Sequence, residues 1–164
     1  MNADKINKLP LRVLYLASGN SNNFEIAPFI KIQGESLQSE KIVVKYYKIK
    51  GKGILGYLRN IRPLREYLRT EKIDLIHAHF TLSAWVAVLS FTGLPIILSL
   101  MGTDAFGRVI RVSNIKVSNK YLTVLTLLIQ PFVEVIISKS ANIEKYVWIK
   151  KKSLILPNGV DLDK

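Results

Sequence analysis

Short apolar runs alternate with stretches of helical periodicity along the whole chain. Leu11-Arg12-Val13-Leu14-Tyr15-Leu16-Ala17 is mostly apolar and stops at Ser18-Gly19-Asn20-Ser21-Asn22, which predicts a buried strand running into a loop. From Phe24 to Ser39, apolar residues recur at helical spacing through Ile26, Phe29, Ile30 and Leu37. Val43 to Ile49 is β-branched and aromatic, a second strand, and Lys50-Gly51-Lys52-Gly53 is a loop. Ile54, Leu55, Leu58, Ile61, Leu64 and Leu68, interleaved with Arg62 and Arg65, predict one basic amphipathic helix. Strands follow at Asp74 to His79, Pro95 to Leu100, Glu134 to Ile137 and Leu154 to Leu156. Helices fall between them at Thr81 to Phe91, Asn119 to Ile129 and Ala141 to Trp148.

Near-continuous apolar strands separated by helices specify a parallel sheet buried on both faces. The expected fold is therefore α/β, a doubly wound parallel sheet of about six strands in three α/β/α layers. The chain has 164 residues, a one-domain length, with neither an internal repeat nor a Gly/Ser- or Pro-rich linker. The charge-free run from Phe80 to Thr103 is long enough for a bilayer. However, Gly93-Leu94-Pro95 breaks it into a helix, a turn and a buried strand.

Composition removes several chemistries. Cysteine is absent, which excludes disulfides, cysteine-ligated zinc, iron–sulfur clusters and a thiol nucleophile, and fits a reducing compartment. The first apolar run is too short and too late for a secretory signal. Twenty-four basic against 12 acidic residues give a net charge of +12, which implies an anionic partner such as nucleic acid, acidic lipid, phosphate or a nucleotide.

In open parallel sheets, ligands bind beyond the carboxyl ends of the strands. Those ends read Ser18 to Asn23, Lys50 to Gly53, His77 to Phe80, Met101 to Asp104, Ser138-Lys139-Ser140 and Pro157-Asn158-Gly159. The first loop has no GxGxxG, so a dinucleotide fingerprint is absent; its small polar side chains suit a phosphate or sugar hydroxyl, or simply cap a helix. Lys50-Gly51-Lys52-Gly53 lacks Walker spacing and reads as a solvated basic turn. His77 and His79, two apart on a strand, share a face. The one nearer the strand end can meet a substrate hydroxyl or act as a base, and the other fits a satisfied core histidine. Two histidines without a third ligand make a poor metal site. Asp104 either accepts from sugar hydroxyls and orients a base, or caps its own turn. Asp161-Leu162-Asp163 matches a DxD pattern but lies at the extreme terminus.

Taken in order, Asp74-Leu75-Ile76-His77-Ala78-His79-Phe80, Gly93-Leu94-Pro95, Gly102-Thr103-Asp104, Val135-Ile136-Ile137-Ser138 and Leu156-Pro157-Asn158-Gly159-Val160-Asp161 resemble the N-terminal half of glycosyltransferase family 4, of the GT-B fold. The resemblance covers Leu11 to Asp161. It implies a Rossmann-like acceptor-binding domain over residues 1–157, with 158–164 beginning a linker to a donor-binding domain that this sequence lacks. It also implies sugar transfer from a nucleotide-diphosphate sugar to a saccharide or lipid-linked acceptor, with retention, and without a metal or resident cofactor. The nucleotide sugar is then a co-substrate, held mainly by the other domain, and the fragment alone is inactive. The catalytic candidates are Asp104, which matches the family's pattern, and His79, from its place at the strand end; the alternative is a site that works by donor electrostatics alone. Gly19, Asn20, Ser21, Asn22, Gly102, Thr103, Ser138, Asn158 and Gly159 are the substrate-binding ones. Two departures matter: Ser18-Gly19-Asn20 stands where the family commonly has Gly-Gly, and Met101 stands where many members have a histidine. Methionine neither relays a proton nor donates a hydrogen bond.

Two other readings stay open, a basic nucleic-acid-binding module and a small-ligand-binding Rossmann-like module. Against the first, the tyrosines at 46, 47, 57 and 67 form no stacking platform, so no nucleic acid is expected. The expected location is cytoplasmic. Between residues 40 and 72 there are ten basic and three acidic residues. With Ile54, Leu55 and Tyr57 beside them, they make peripheral attachment to an anionic inner membrane face an expectation, through this helix or the 105–121 segment.

Overall fold

The computed structural model describes residues 10–21, 25–106, 108–112 and 115–158. Its strands are β1 (Arg12–Ser18), β2 (Val43–Ile49), β3 (Leu75–His79), β4 (Ile96–Leu100), β5 (Arg108–Val112), β6 (Ile115–Asn119), β7 (Val135–Ser138) and β8 (Ser153–Ile155). The helices are α1 (Pro28–Ser39), α2 (Gly53–Leu58), α3 (Ile61–Thr70), α4 (Thr81–Leu89), α5 (Thr103–Phe106), α6 (Tyr121–Ile129) and α7 (Ala141–Glu144). Six strands form one parallel sheet in the order β2-β1-β3-β4-β7-β8. This is the doubly wound α/β/α sandwich that the alternation of strands and helices predicts.

The pleat sorts each strand into two cores. Leu14 and Leu16 of β1, Ile76 and Ala78 of β3, and Leu98 and Leu100 of β4 pack with Leu64, Leu82, Val86 and Ile129. Val13, Tyr15 and Ala17 point to the other face, under Ile30 of α1 and beside Val44. At the amino edge, Asp74 accepts from the Arg12 amide at 2.9 Å and from its Nε and Nη2 at 3.0 and 2.9 Å, fastening β3 to β1. This fork holds Asp74 below the usual carboxylate range.

Several boundaries differ from the sequence reading. The expected helix from Ile54 to Leu68 is two helices. Asn60 turns the chain: its Nδ2 donates to Gly56 O and Lys50 O, both at 2.8 Å, and its Oδ1 accepts from Lys50 N. Pro63 then fits only in the first turn of the second helix. Asn119 belongs to β6, because β5 and β6 pair antiparallel in a two-stranded sheet apart from the main one. The helix expected from Phe24 begins at Pro28, and the one at 141–148 stops at Glu144. The charge-free run is α4, a turn and β4, and no helix among the described residues is long and apolar enough to cross a membrane.

Two glycines let the second loop close on α2. A Cβ on Gly56 would lie 2.5 Å from the Gly51 carbonyl carbon, and Gly51 itself has φ +108°. An ordinary Gly→Ala change within a helix stabilises by about 1 kcal/mol. Gly56→Ala reverses that sign, costing about 1–3 kcal/mol through overpacking against backbone. A urea midpoint below wild type checks it, and a higher midpoint disproves the contact.

Candidate binding site at the carboxyl edge of the sheet

The carboxyl ends of β1, β3 and β4 surround a cavity of about 300 Å³ under the start of α1. Ser18 and Ser21 line it from the first loop, and Ala27, Phe29 and Ile30 from α1. Tyr57 of α2 closes one side, and His79, Phe80 and Met101 form the floor. Five of these nine side chains, Ala27, Phe29, Ile30, Phe80 and Met101, are apolar, so the polar groups among the other four decide what the cavity recognises.

His79 ends β3 facing the same side as His77 and Tyr15. Its ring stacks on His77 at 4.2 Å and lies 4.6 Å from Tyr15. His77 is satisfied by Ser99 Oγ at 2.8 Å. His79 is 2% exposed, and neither ring nitrogen has a hydrogen-bond partner in the protein. Burial drives both rings to the neutral form, pushing His77 down to about 3 and His79 well below 6.5. Lys139, just beyond β7, disfavours protonation of both as well. Lys139 is half-buried, and that burial lowers its own pKa.

The first loop spends its polar groups internally. Asn20 Nδ2 donates to Ser18 Oγ at 3.0 Å and to Gly51 O at 2.8 Å, while its Oδ1 accepts from Gly51 N at 2.8 Å. The Tyr57 hydroxyl joins Ser18 and Asn20, leaving its ring for the cavity. Gly19 runs tight against β2, its N–H donating to Ile49 O at 2.9 Å.

Asp104 is placed differently from the expectation for a residue that meets substrate. It is fully buried on the α4 and α6 side and does not line the cavity. Its Oδ2 accepts from Thr81 N at 3.1 Å and Thr81 Oγ1 at 3.3 Å, and its Oδ1 accepts from Met101 N at 2.9 Å. Burial raises its pKa against the pull of those donors. The turn-capping reading of Asp104 describes what it touches. His79 and Asp104 therefore serve opposite sides of the sheet edge. Phe80, between them, has φ +98°, a conformation costly for a bulky side chain.

The remaining candidates scatter. Gly102 is buried with φ +95° and opens the turn into α5, where Thr103 is exposed. Ser138 is buried with its Oγ unpartnered, and neither it nor Asn20 lines the cavity. Asn158 is exposed beyond β8. Asn22, Gly159 and the Asp161-Leu162-Asp163 run lie outside the described residues. Tyr15, Tyr57, Phe29 and Lys139 were not singled out as site residues from the sequence. Tyr15 has a usable signal in its two-residue spacing from Val13 and Ala17 on one face, and Lys139 in its place at a strand end. Among the described residues, no group of three or more His, Asp or Glu side chains comes together to hold a metal.

This edge, on a six-stranded doubly wound sheet, belongs to a Rossmann-like domain of the kind from which GT-B glycosyltransferases are built. The sequence pattern of Glycosyltransferase Family 4 matches residues 11–164, and the chain belongs to that family. No curated protein matches it by sequence. Among solved structures, it is similar to sucrose-phosphate synthase from Thermosynechococcus elongatus, with a TM-score of 0.70 and 12% identity. That match covers 93% of this chain and 49% of the other, so this chain spans about half the length of that enzyme. A second, shorter chain of the same enzyme matches at TM-score 0.64 and 13% identity, covering 93% of this chain and 90% of that one.

The neutral histidines make stability depend on pH. Unfolding returns them to an ordinary pKa of 6.5, so the unfolded chain binds more protons below that value. Stability present above pH 6.5 is lost as pH falls toward 3, by up to about 1.4 kcal/mol per pH unit for each ring. His77→Gln keeps a partner for Ser99 and removes one ring. Its urea midpoint therefore declines less steeply than wild type between pH 6.5 and 5. Identical slopes would mean the rings are not held neutral.

Proposed function

We propose that this chain is the acceptor-binding half of a glycosyltransferase that moves a sugar from a nucleotide-diphosphate sugar to a hydroxyl of a saccharide or lipid-linked acceptor. Membership of the family supports transferase chemistry. The observation that carries the acceptor role is the cavity at the carboxyl edge, with a buried, unpartnered His79 in its wall. The acceptor hydroxyl donates to His79. Its oxygen bonds to the anomeric carbon as the bond from that carbon to the diphosphate oxygen breaks, the electron pair leaving with the nucleoside diphosphate. His79 is too weak a base to keep the proton, which passes to the departing phosphate. The nucleotide sugar is a co-substrate, held mainly by a donor-binding domain. This reading uses neither a metal nor a resident cofactor, and the family resemblance favours retention.

The division of labour is tested on the 164-residue chain. Calorimetry with a nucleotide sugar should show no saturable binding below millimolar concentrations, and assays should show neither transfer nor hydrolysis above background. Tight binding overturns the assignment to the acceptor side.

The charge favours a cytoplasmic protein resting on an anionic membrane face. Three of the ten basic residues between 40 and 72 are committed within the protein to partners distant in the chain: Lys45 pairs with Glu71, Lys48 with Glu25, and Arg65 donates to Ser90 O and Leu89 O. Tyr57, expected to dip into the interface, is 7% exposed and faces the cavity. What remains on α2 is Leu55, 74% exposed, and Ile54, with exposed Lys50, Lys52 and Arg59 around them. In the sequence, the 105–121 segment carries Arg108, Arg111, Lys116 and Lys120 with no acidic residue after Asp104. Each cation near anionic lipid contributes about 1 kcal/mol. Co-sedimentation should therefore rise with anionic lipid and fall with salt, and Lys52→Ser/Leu55→Ser should weaken it about tenfold. Equal recovery with neutral and anionic vesicles leaves only a solvated surface. Duplex binding that falls steeply with salt favours the nucleic-acid module instead.

A further inference from the structure

The acceptor cavity contains almost no free polar groups, and that restricts what can occupy it. Ser18 Oγ accepts from Asn20 and joins the Tyr57 hydroxyl, so neither Ser18 nor Tyr57 depends on an occupant. Ser21 is also engaged within the protein. Ala27, Phe29, Ile30, Phe80 and Met101 offer only apolar side-chain surface. His79 is left as the buried polar side chain awaiting a partner. A bare hexose brings several hydroxyls, and each one buried here without a partner costs about 1–3 kcal/mol. Met101 adds to the apolar character at a position where a histidine would have supplied a second polar contact.

We infer that the acceptor presents a single hydroxyl on an apolar body, an aryl or alkyl alcohol or an apolar aglycone. The hydroxyl meets His79, and the body lies against Phe29, Ile30 and Met101. The inference rests on the reading of this cavity as the acceptor site. Burying one aromatic ring at that surface, instead of stranding sugar hydroxyls, favours the apolar alcohol by at least about tenfold.

The competing occupant is a sugar phosphate. Two features would serve it: the start of α1, whose cap Ala27 makes no side-chain cap bond, and Lys139, which has no ion-pair partner among the described residues. Neither puts a charged side chain in the cavity wall.

The test is an NMR titration of the 164-residue chain with three probes: benzyl alcohol, glucose and glucose 1-phosphate. The methyl signals of Ala27, Ile30 and Met101 are followed. Benzyl alcohol should shift them with a Kd at least tenfold below that of glucose. Met101→Gln should weaken benzyl alcohol several-fold. Ala27→Leu, which fills the cavity, should abolish the shifts while the amide spectrum stays folded. If glucose or glucose 1-phosphate moves the same methyls at equal or lower concentration, the apolar-body inference is overturned and the acceptor site survives. If no probe moves them, the acceptor reading of the cavity falls as well.

Discussion

The buried carboxylate of Asp104 fixes the edge of the sheet on which the rest of the site depends. It receives the amides of Thr81 and Met101, which follow β3 and β4. One side chain thereby sets where two neighbouring strands stop and how the chain leaves each of them. Thr126 reinforces the arrangement from α6, its Oγ1 lying 2.7 Å from Thr81 Oγ1 and 2.9 Å from Asp104 O. A carboxylate so deep is costly, and burial raises its pKa accordingly. The three donors offset that cost only while the turns keep their shape. Phe80 at φ +98° is the visible consequence: the chain accepts a strained residue there so that Thr81 reaches Asp104 and His79 keeps its place on the opposite face.

The other side of the edge follows a different economy. His77 and His79 stack in the low-dielectric space beneath α1, with the Tyr15 ring edge-on to one and tilted to the other, and ionisation is suppressed there. Ser99 satisfies the inner ring and leaves the outer ring unpaired. An unpaired buried imidazole costs stability, and that cost is recovered only when an occupant supplies the missing hydrogen bond. Asn20, Gly51 and Tyr57 knit the first two loops together beside it, so the cavity wall is already formed before anything binds. Such a wall loses little entropy on binding.

The fold was largely legible because buried parallel strands are recognisable from composition alone. The run at 43–49 matched its strand to the residue, and the run at 11–17 was displaced by one. What failed was decided by side chains acting across the chain. Asn60 breaks the expected long helix with hydrogen bonds that periodicity does not encode. β5 and β6 pair antiparallel outside the main sheet, where the sequence reading assigned no strand and placed Asn119 at the start of a helix. At the site, His79 stands out by its place at a strand end, and Asp104, one of two readings of which was a cap, accepts from the amides of Thr81 and Met101. Tyr57 could not be found, because its place in the cavity depends on hydrogen bonds to Ser18 and Asn20, almost forty residues earlier in the chain.

The weak basicity of His79 has a consequence for how catalysis would be shared. In the empty cavity, burial makes His79 a weak base, one suited to accepting a hydrogen bond and orienting a hydroxyl. With Met101 at the neighbouring strand end and Asp104 committed to backbone amides, no other side chain in the cavity wall can take the hydroxyl proton. On the proposed reading, the departing phosphate must receive it, and that phosphate arrives with the donor. The acceptor half can then position its substrate without activating it. On that reading, the reactive alignment requires the acceptor and the donor together, since neither half holds both the hydroxyl and the group that takes its proton.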